Sequence, residues 1–411
     1  MPRGLLLLLT LLLLGCQAVD AAAPPNLPTL AAAASLPDPT IGVPATFTPL
    51  AETAVLHTAT PFIPRDTATP APTRIIPTLT PFTPRPSATP TPTFSPIITP
   101  TETPVIKPID QYAFHEVIPY QAFPTPPGDN GWGMHWIPTV KQDRAVVDRF
   151  VAEMVRMNIK WVVFLNDGSN IGDNDYLVDK LVANGIMPVM RLYRSGVLPY
   201  SGDVGAMVRH YRAKGVYYYQ LYNEPNVNDE NHQGFANPTQ YALAWANAAR
   251  IIVANGGLPG IGAFSPGGAY NHYEFLDRTL RALEFNGDGH LLNHAWLSVH
   301  NYPGTRPYDD PDGFLLFRKY DEIVRSHLGR SMAMVGTEGG SYSDNPAVVI
   351  DLLAYQYNYM RDAEPYFLAF SYWLIANEVG GSFDPAWEWQ ALFRANYVHP
   401  VVTEYFYRNG R

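Results

Sequence analysis

The feature that most limits how this chain can fold is an alternation that sets in after about residue 115. Short apolar, β-branched or aromatic runs are separated there by segments of helical period. Eight such runs can be counted: the vicinity of Gly133-Met134-His135-Trp136, then KWVVFLN (160 to 166), MPVMRLY (187 to 193), YYYQLYNE (217 to 224), GIGAF (260 to 264), AWLSVHNY (295 to 302), MAMVGTE (332 to 338) and YFLAFSYWL (366 to 374). Several are hydrophobic almost without interruption, the pattern of parallel strands covered on both faces. Between the first two, Val146, Val147, Phe150, Val151, Met154 and Val155 form one helical stripe with charged residues opposite. DNDYLVDKLVANG ends on Gly185, suited to a helix C-terminus, and NPTQYALAWANAARIIVANGG opens on Asn237 as a cap with Pro238 in the first turn. Further helices are expected around 272 to 286, 314 to 328 and 346 to 362. Eight such strand-helix units predict an α/β chain closed into a (β/α)8 TIM barrel over residues 113–411, with a doubly wound open sheet as the alternative.

The N-terminal part reads differently. MPRGLLLLLTLLLLGC has one basic residue, Arg3, and then an apolar run of about a dozen residues, short for a membrane span and typical of a signal segment. Its end, Leu13-Leu14-Gly15-Cys16, resembles the lipobox of bacterial lipoproteins, which implies that the signal segment 1–16 is cut ahead of Cys16, that Cys16 becomes the lipid-modified N-terminus, and that the chain has a membrane partner through that anchor. Cys16 is the only cysteine in the chain, so intrachain disulfides and cysteine metal sites are excluded. From 17 to 112 the chain is dominated by Pro and Thr, which removes backbone donors and forbids regular ladders, so a disordered, polyproline-like stalk is expected. The chain is thus expected to be exported, anchored on the outer side of the membrane, and monomeric. The net charge of −9, without a Lys/Arg cluster, argues against nucleic acid as a partner.

In a barrel the C-terminal ends of the strands converge on one face. Here they supply His135 and Trp136, Asn166, Arg191, Asn223 and Glu224, Ser265, His300 and Tyr302, Glu338 and Trp373. Glu224 ends the fourth run and Glu338 the seventh, so the two can face each other across the barrel mouth. Such a pair is what glycosidic cleavage needs: one carboxyl protonated for the departing oxygen, the other ionised to attack or to activate water. Trp132, Trp136, Trp373, Trp387 and Trp389 are candidates to stack on sugar faces, with core packing as the alternative for each.

Asn223-Glu224-Pro225 and Thr337-Glu338-Gly339, supported by His300-Asn301-Tyr302 and Trp373, resemble the clan A retaining glycoside hydrolases, over about residues 130 to 405. The resemblance implies a carbohydrate substrate, Glu224 as acid/base, Glu338 as nucleophile, Asn223 on a sugar hydroxyl, Tyr302 on the nucleophile, Trp373 as a floor under the sugar, and Arg191 and His300 as orienting residues. Trp136 and His135 are expected at the substrate as well. A carbohydrate-binding barrel without turnover is the other reading. No HExxH pair, EF-hand spacing, nucleotide-type glycine pattern or nucleophile elbow occurs, so no metal and no cofactor are expected.

Overall fold

The computed structural model describes residues 106–341, 343–378 and 385–410. The signal segment, Cys16 and the Pro/Thr-rich stretch up to 105 lie outside the described residues. Eight parallel strands close into one ring in chain order: β1 (Trp132–His135), β2 (Trp161–Asp167), β3 (Met187–Tyr193), β4 (Tyr218–Leu221), β5 (Leu258–Phe264), β6 (Trp296–Asn301), β7 (Met334–Gly339) and β8 (Phe367–Tyr372), with β8 back against β1. The open-sheet alternative is thereby excluded.

The helices outside the ring are α1 (Arg144–Arg156), α2 (Asp175–Ala183), α3 (Val204–Ala213), α4 (Pro238–Ala254), α5 (His272–Phe285), α6 (Phe317–Leu328) and α7 (Pro346–Tyr359). Side chains cap α3, α4, α5 and α7: in α4, Asn237 Oδ1 accepts from the N–H groups of Thr239 and Gln240, both at 3.1 Å, with Pro238 at the first position as expected. One helix, α3, is absent from the sequence expectations although its signals are there. Asp203 caps it, accepting from Ala206 N–H at 2.8 Å, and Val204, Met207, Val208 and Tyr211 form its buried face. After β8 the regular repeat gives way to a short helix (Pro385–Glu388), a two-stranded hairpin and a C-terminal helical segment whose Tyr405 and Phe406 pack on Trp132.

Strand side chains alternate between two cores. One set, including Trp132, Met134, Trp136, Val162, Phe164, Met190, Leu221 and Phe370, packs against the helices. The other fills the lower barrel with Trp161, Val163, Met187, Val189, Tyr218, Leu258, Trp296, Val335 and Ala369. The segment ahead of β1 closes the floor of that interior: Ile118 and Phe123 are buried in it, Ile109 and Tyr112 pack beside them, and Tyr218 Oη donates to Pro124 O at 2.6 Å. The boundary expected at residue 113 falls inside this floor segment, since Asp110 already pairs with Arg212 of α3 at 2.5 Å. With its floor plugged by apolar side chains, the ring is open only at the strand C-terminal end.

Candidate active site

Three irregularities at that end place the functional side chains. Strand β4 stops at Leu221, three residues short of the expected 224, because Tyr222 (φ 61°) and Glu224 (φ 37°) take left-handed backbone that cannot continue a ladder. Neither residue type favours this region, and each such position costs about 1–3 kcal/mol. The surroundings hold the turn in place. Tyr222 is buried, its N–H donates to Tyr200 Oη at 3.0 Å, and its own hydroxyl donates to Leu198 O at 2.9 Å. Glu224 N–H donates to Ala263 O at 3.0 Å. That carbonyl is available because β5 bulges between Gly262 and Phe264, where Gly262 (φ 108°) brings its Cα so close to Ser298 O that a Cβ would meet it at 2.6 Å. Fully buried Asn226 closes the corner, donating to Ser265 O and Tyr270 O and accepting from Ser265 N–H. The second bulge, at Val299/His300, lets β7 run one residue ahead, so that His300 lies opposite Glu338.

The result is a hollow of about 470 Å³ lined by Arg191, Asn223, Glu224, Tyr302, Glu338 and Trp373, together with Leu165, Tyr193, Arg194, Glu230, Ser265, Asn377 and Trp387 among others. One carboxyl oxygen each of Glu224 and Glu338 and one ring nitrogen of His300 all lie within 4.8 Å of one another. His300 is fully buried between the glutamates, its Nδ1 2.9 Å from Glu224 Oε1 and its Nε2 3.6 Å from Glu338 Oε1. Glu338 is 7% exposed; Arg191 Nη2 donates to its Oε1, and Tyr302 Oη donates to its Oε2 at 2.9 Å. Burial pushes this carboxyl up, but the charges of His300, Arg191 and His135 and the Arg191 hydrogen bond outweigh it and hold the group well below the usual carboxylate range, at about 2. Of these cations Arg191 is the permanent one. His135 is pulled down to about 3, by burial first and then by Arg191, so it is neutral across the physiological range.

Among the described residues, Glu224, His300 and Glu338 are the one group with the donor types of a metal site. Arg191 and Tyr302 already take both oxygens of Glu338, and a guanidinium in that contact opposes a divalent cation.

Trp373 is 6% exposed and forms one wall with Trp387, their rings 5.6 Å apart at 79°. Its indole N–H has no partner among the described residues, and Tyr302 packs on it. Two expectations change. Trp136 is not at the site: it is fully buried on the helix side of β1 against Phe150, because His135 and Trp136 are adjacent and a strand sends adjacent side chains to opposite faces. His135 does face inward, but it lies beneath Trp373 with ring centroids 4.2 Å apart and does not line the hollow, so it supports the tryptophan rather than a ligand. Its Nδ1 faces Trp136 O at 2.7 Å, which fixes the proton on that nitrogen. Asn166 turns into its own loop, donating to Gly168 O and Asn170 O. Trp132 is core, and Trp389 stands outside the hollow.

Glu230 is a site residue absent from the expectations. It sits in the turn Asn228–Glu230 after β4, lines the hollow and accepts from Asn223 Nδ2 at 3.0 Å.

No protein-family model matches the chain, and no curated protein matches it. Solved structures do. The endo-1,4-β-mannanase from Rhizomucor miehei is 12% identical, with a TM-score of 0.40 over 62% of this chain and 87% of that one. The endo-β-1,4-mannanase from Thermotoga petrophila is 11% identical, with a TM-score of 0.45 over 74% and 79%. A β-glucuronidase from Bacteroides uniformis is 12% identical, with a TM-score of 0.45 over 68% of this chain but only 35% of its own. The likeness is one of fold.

Proposed function

We propose that the chain is a retaining glycoside hydrolase in which Glu338 is the nucleophile and Glu224 the acid/base. The observation that carries this reading is the close approach of the two carboxylates in one accessible hollow, with oxygens within 4.8 Å, against the roughly 5–5.5 Å between carboxyl groups of retaining enzymes and the roughly 6.5–9.5 Å of inverting ones. Electrostatics supports the division of roles. Glu338 is held ionised and hydrogen-bonded on both oxygens, as a nucleophile must be, whereas Glu224 is the more exposed of the two, its side chain 22% accessible against 9%.

In the first step a Glu338 oxygen bonds to the anomeric carbon while the glycosidic C–O bond breaks and Glu224 gives its proton to the departing oxygen. In the second, Glu224 takes a proton from water, whose oxygen attacks the same carbon and releases the Glu338 carboxylate. Trp373 and Trp387 offer apolar faces for the sugar, and the unpartnered Trp373 N–H a donor for one of its hydroxyls. The same proposal takes the chain to be exported, lipid-anchored at Cys16 and held off the membrane by the Pro/Thr-rich stretch, a reading that rests on the sequence of residues 1–105. Among the described residues no helix is long and apolar enough to cross a membrane.

The test is hydrolysis of a panel of aryl glycosides and polysaccharides by the wild type and by Glu338→Ala. Release of sugar by the wild type that vanishes in the variant supports the assignment. Release that survives the substitution removes Glu338 from the mechanism.

A further inference from the structure

Glu230 has no part in the two-carboxylate scheme, yet its environment is constructed. The loop that carries it is braced from within: Asn231, 8% exposed, donates to Pro225 O at 2.9 Å and to Val227 O at 2.6 Å, and Asn228 Oδ1 accepts from Ala236 N–H at 3.1 Å. This bracing holds the Glu230 carboxyl against Asn223, the residue next to Glu224, and in the same hollow. Among the described residues no ion pair is made by it: Arg191 is engaged by Glu338, and Arg194 lines the same hollow without pairing with it. An ionised carboxylate only accepts, so it obliges Asn223 to turn its Nδ2 towards Glu230. The other end of the amide, Asn223 Oδ1, is buried and has no partner among the described residues.

Resting on the hydrolase reading above, we infer that Glu230 is a positioning residue. It fixes the orientation of the Asn223 amide so that an acceptor, Oδ1, faces the substrate, and the sugar group bound there must be a hydrogen-bond donor, a free hydroxyl. Such a site discriminates against a sugar that lacks or masks that hydroxyl, because a buried acceptor is then left unmatched. Burial, and the negative charges of Glu224 and Glu338, push the Glu230 carboxyl up, opposed by the Asn223 hydrogen bond and by Arg191. Once protonated, Glu230 can donate to Oδ1, and the amide is free to turn over. The charged and titratable groups around this hollow are Glu224 from the end of β4, Arg191 from β3 and Arg194 just after it, Tyr302 after β6 and Glu338 from β7, with His300 of β6 between the two carboxyls.

The experiment uses the full chain and the aryl glycoside that the wild type hydrolyses, with its monodeoxy analogues. Glu230→Gln, whose amide can satisfy Asn223 in either orientation, is expected to lower kcat/KM about ten- to a hundredfold. Glu230→Asp should recover part of the loss. On the one deoxy analogue that lacks the hydroxyl received by Asn223, the Glu230→Gln penalty should vanish. The double variant Asn223→Ala/Glu230→Gln should be no worse than Asn223→Ala alone. Equal penalties on every analogue, or additive losses in the double variant, overturn the inference while leaving the two-glutamate mechanism standing.

A measurement without turnover separates the two claims. The side-chain amide NMR signals of Asn223, identified by their loss in Asn223→Ala, should follow a carboxyl titration in the wild type and in Glu338→Gln but not in Glu230→Gln. Signals that do not respond to pH, or that respond equally in all three proteins, overturn the role of Glu230 even if no glycoside is cleaved.

Discussion

Replacing Arg191 by Met tests the electrostatic basis of the site. The guanidinium is 5% exposed and its partner Glu338 7%, so the pair lies out of water where removing one member strands the other. Holding Glu338 near 2 rather than the ordinary 4.5 represents a preference for the ionised form of roughly 3 kcal/mol. Burial acts in the opposite direction and is overcome by His300 and Arg191 together, Arg191 adding a hydrogen bond to its charge. In Arg191→Met the acid limb of the kcat/KM profile should therefore move up by at least about one pH unit, with unfolding stability near neutral pH falling by about 3–5 kcal/mol. The pH dependence of that loss has a definite sign. A depressed carboxyl contributes stability that is complete above its unfolded value and disappears as pH falls through its folded value. The stability gap between wild type and variant should accordingly be widest near neutrality and narrow between about 4.5 and about 2. Urea unfolding across that range, beside the rate profile, measures both. A gap constant with pH, together with an unmoved acid limb, would refute the claim that Arg191 keeps the nucleophile ionised.

Other expectations follow from the same contacts. Tyr302→Phe removes the 2.9 Å hydrogen bond to Glu338 Oε2 and should lower kcat/KM about ten- to a hundredfold with little change in unfolding midpoint. Trp136→Ala opens a cavity between β1 and α1 and should cost about 3–5 kcal/mol of stability, whereas Trp373→Ala should chiefly raise KM; a reversed pattern would contradict the strand parity described above. With azide present, Glu338→Ala should give a glycosyl azide of inverted anomeric configuration and Glu224→Ala one of retained configuration, as read by NMR of the product. Cys16→Ser should move the protein from the membrane fraction to the soluble fraction of an expressing bacterium, and unchanged partitioning would dispose of the lipid anchor.

What could be read from the sequence, and what could not, follows from the range of each interaction. Strands such as Met187–Tyr193 and helices such as Pro238–Ala254 are written in local periodicity and caps, and they appear within a residue or two of where they were expected. The pairing of Glu224 with Glu338 was reachable because a closed ring brings strand ends together whatever the loops do. Parity was reachable too: His135 and Trp136 are neighbours in a strand, so only one of them could face the site. The early end of β4 was not. It depends on left-handed backbone at Tyr222 and Glu224, imposed by Tyr200 and Ala263 from other segments and by the bonds of Asn226 to Ser265 and Tyr270. Glu230 was equally hidden, since nothing in NVNDENHQGF distinguishes it from Asp229 until the bracing by Asn231 and Asn228 sets its direction.

His300 stands between the two glutamates, so its tautomer is tied to the proton on Glu224. Its Nε2 stands 3.6 Å from a Glu338 oxygen that is kept ionised, and an N–H is the favourable group to present to a carboxylate. A neutral ring with its proton on Nε2 has a bare Nδ1, and that nitrogen, 2.9 Å from Glu224 Oε1, can then only accept. In that tautomer the contact requires the proton to sit on Glu224, the arrangement from which the first step of a retaining reaction starts. By this reasoning His300→Phe, which removes both nitrogens, should impair proton delivery more than nucleophilic attack. Rates of glycosyl-enzyme formation should fall by about a hundredfold or more for aryl glycosides with poor leaving groups and much less for dinitrophenyl glycosides, whose departure needs little acid assistance. Stopped-flow bursts across a series of aryl leaving groups would measure the slope. Losses of the same size for every leaving group would mean that His300 only orients the two carboxylates and does not set the proton on Glu224.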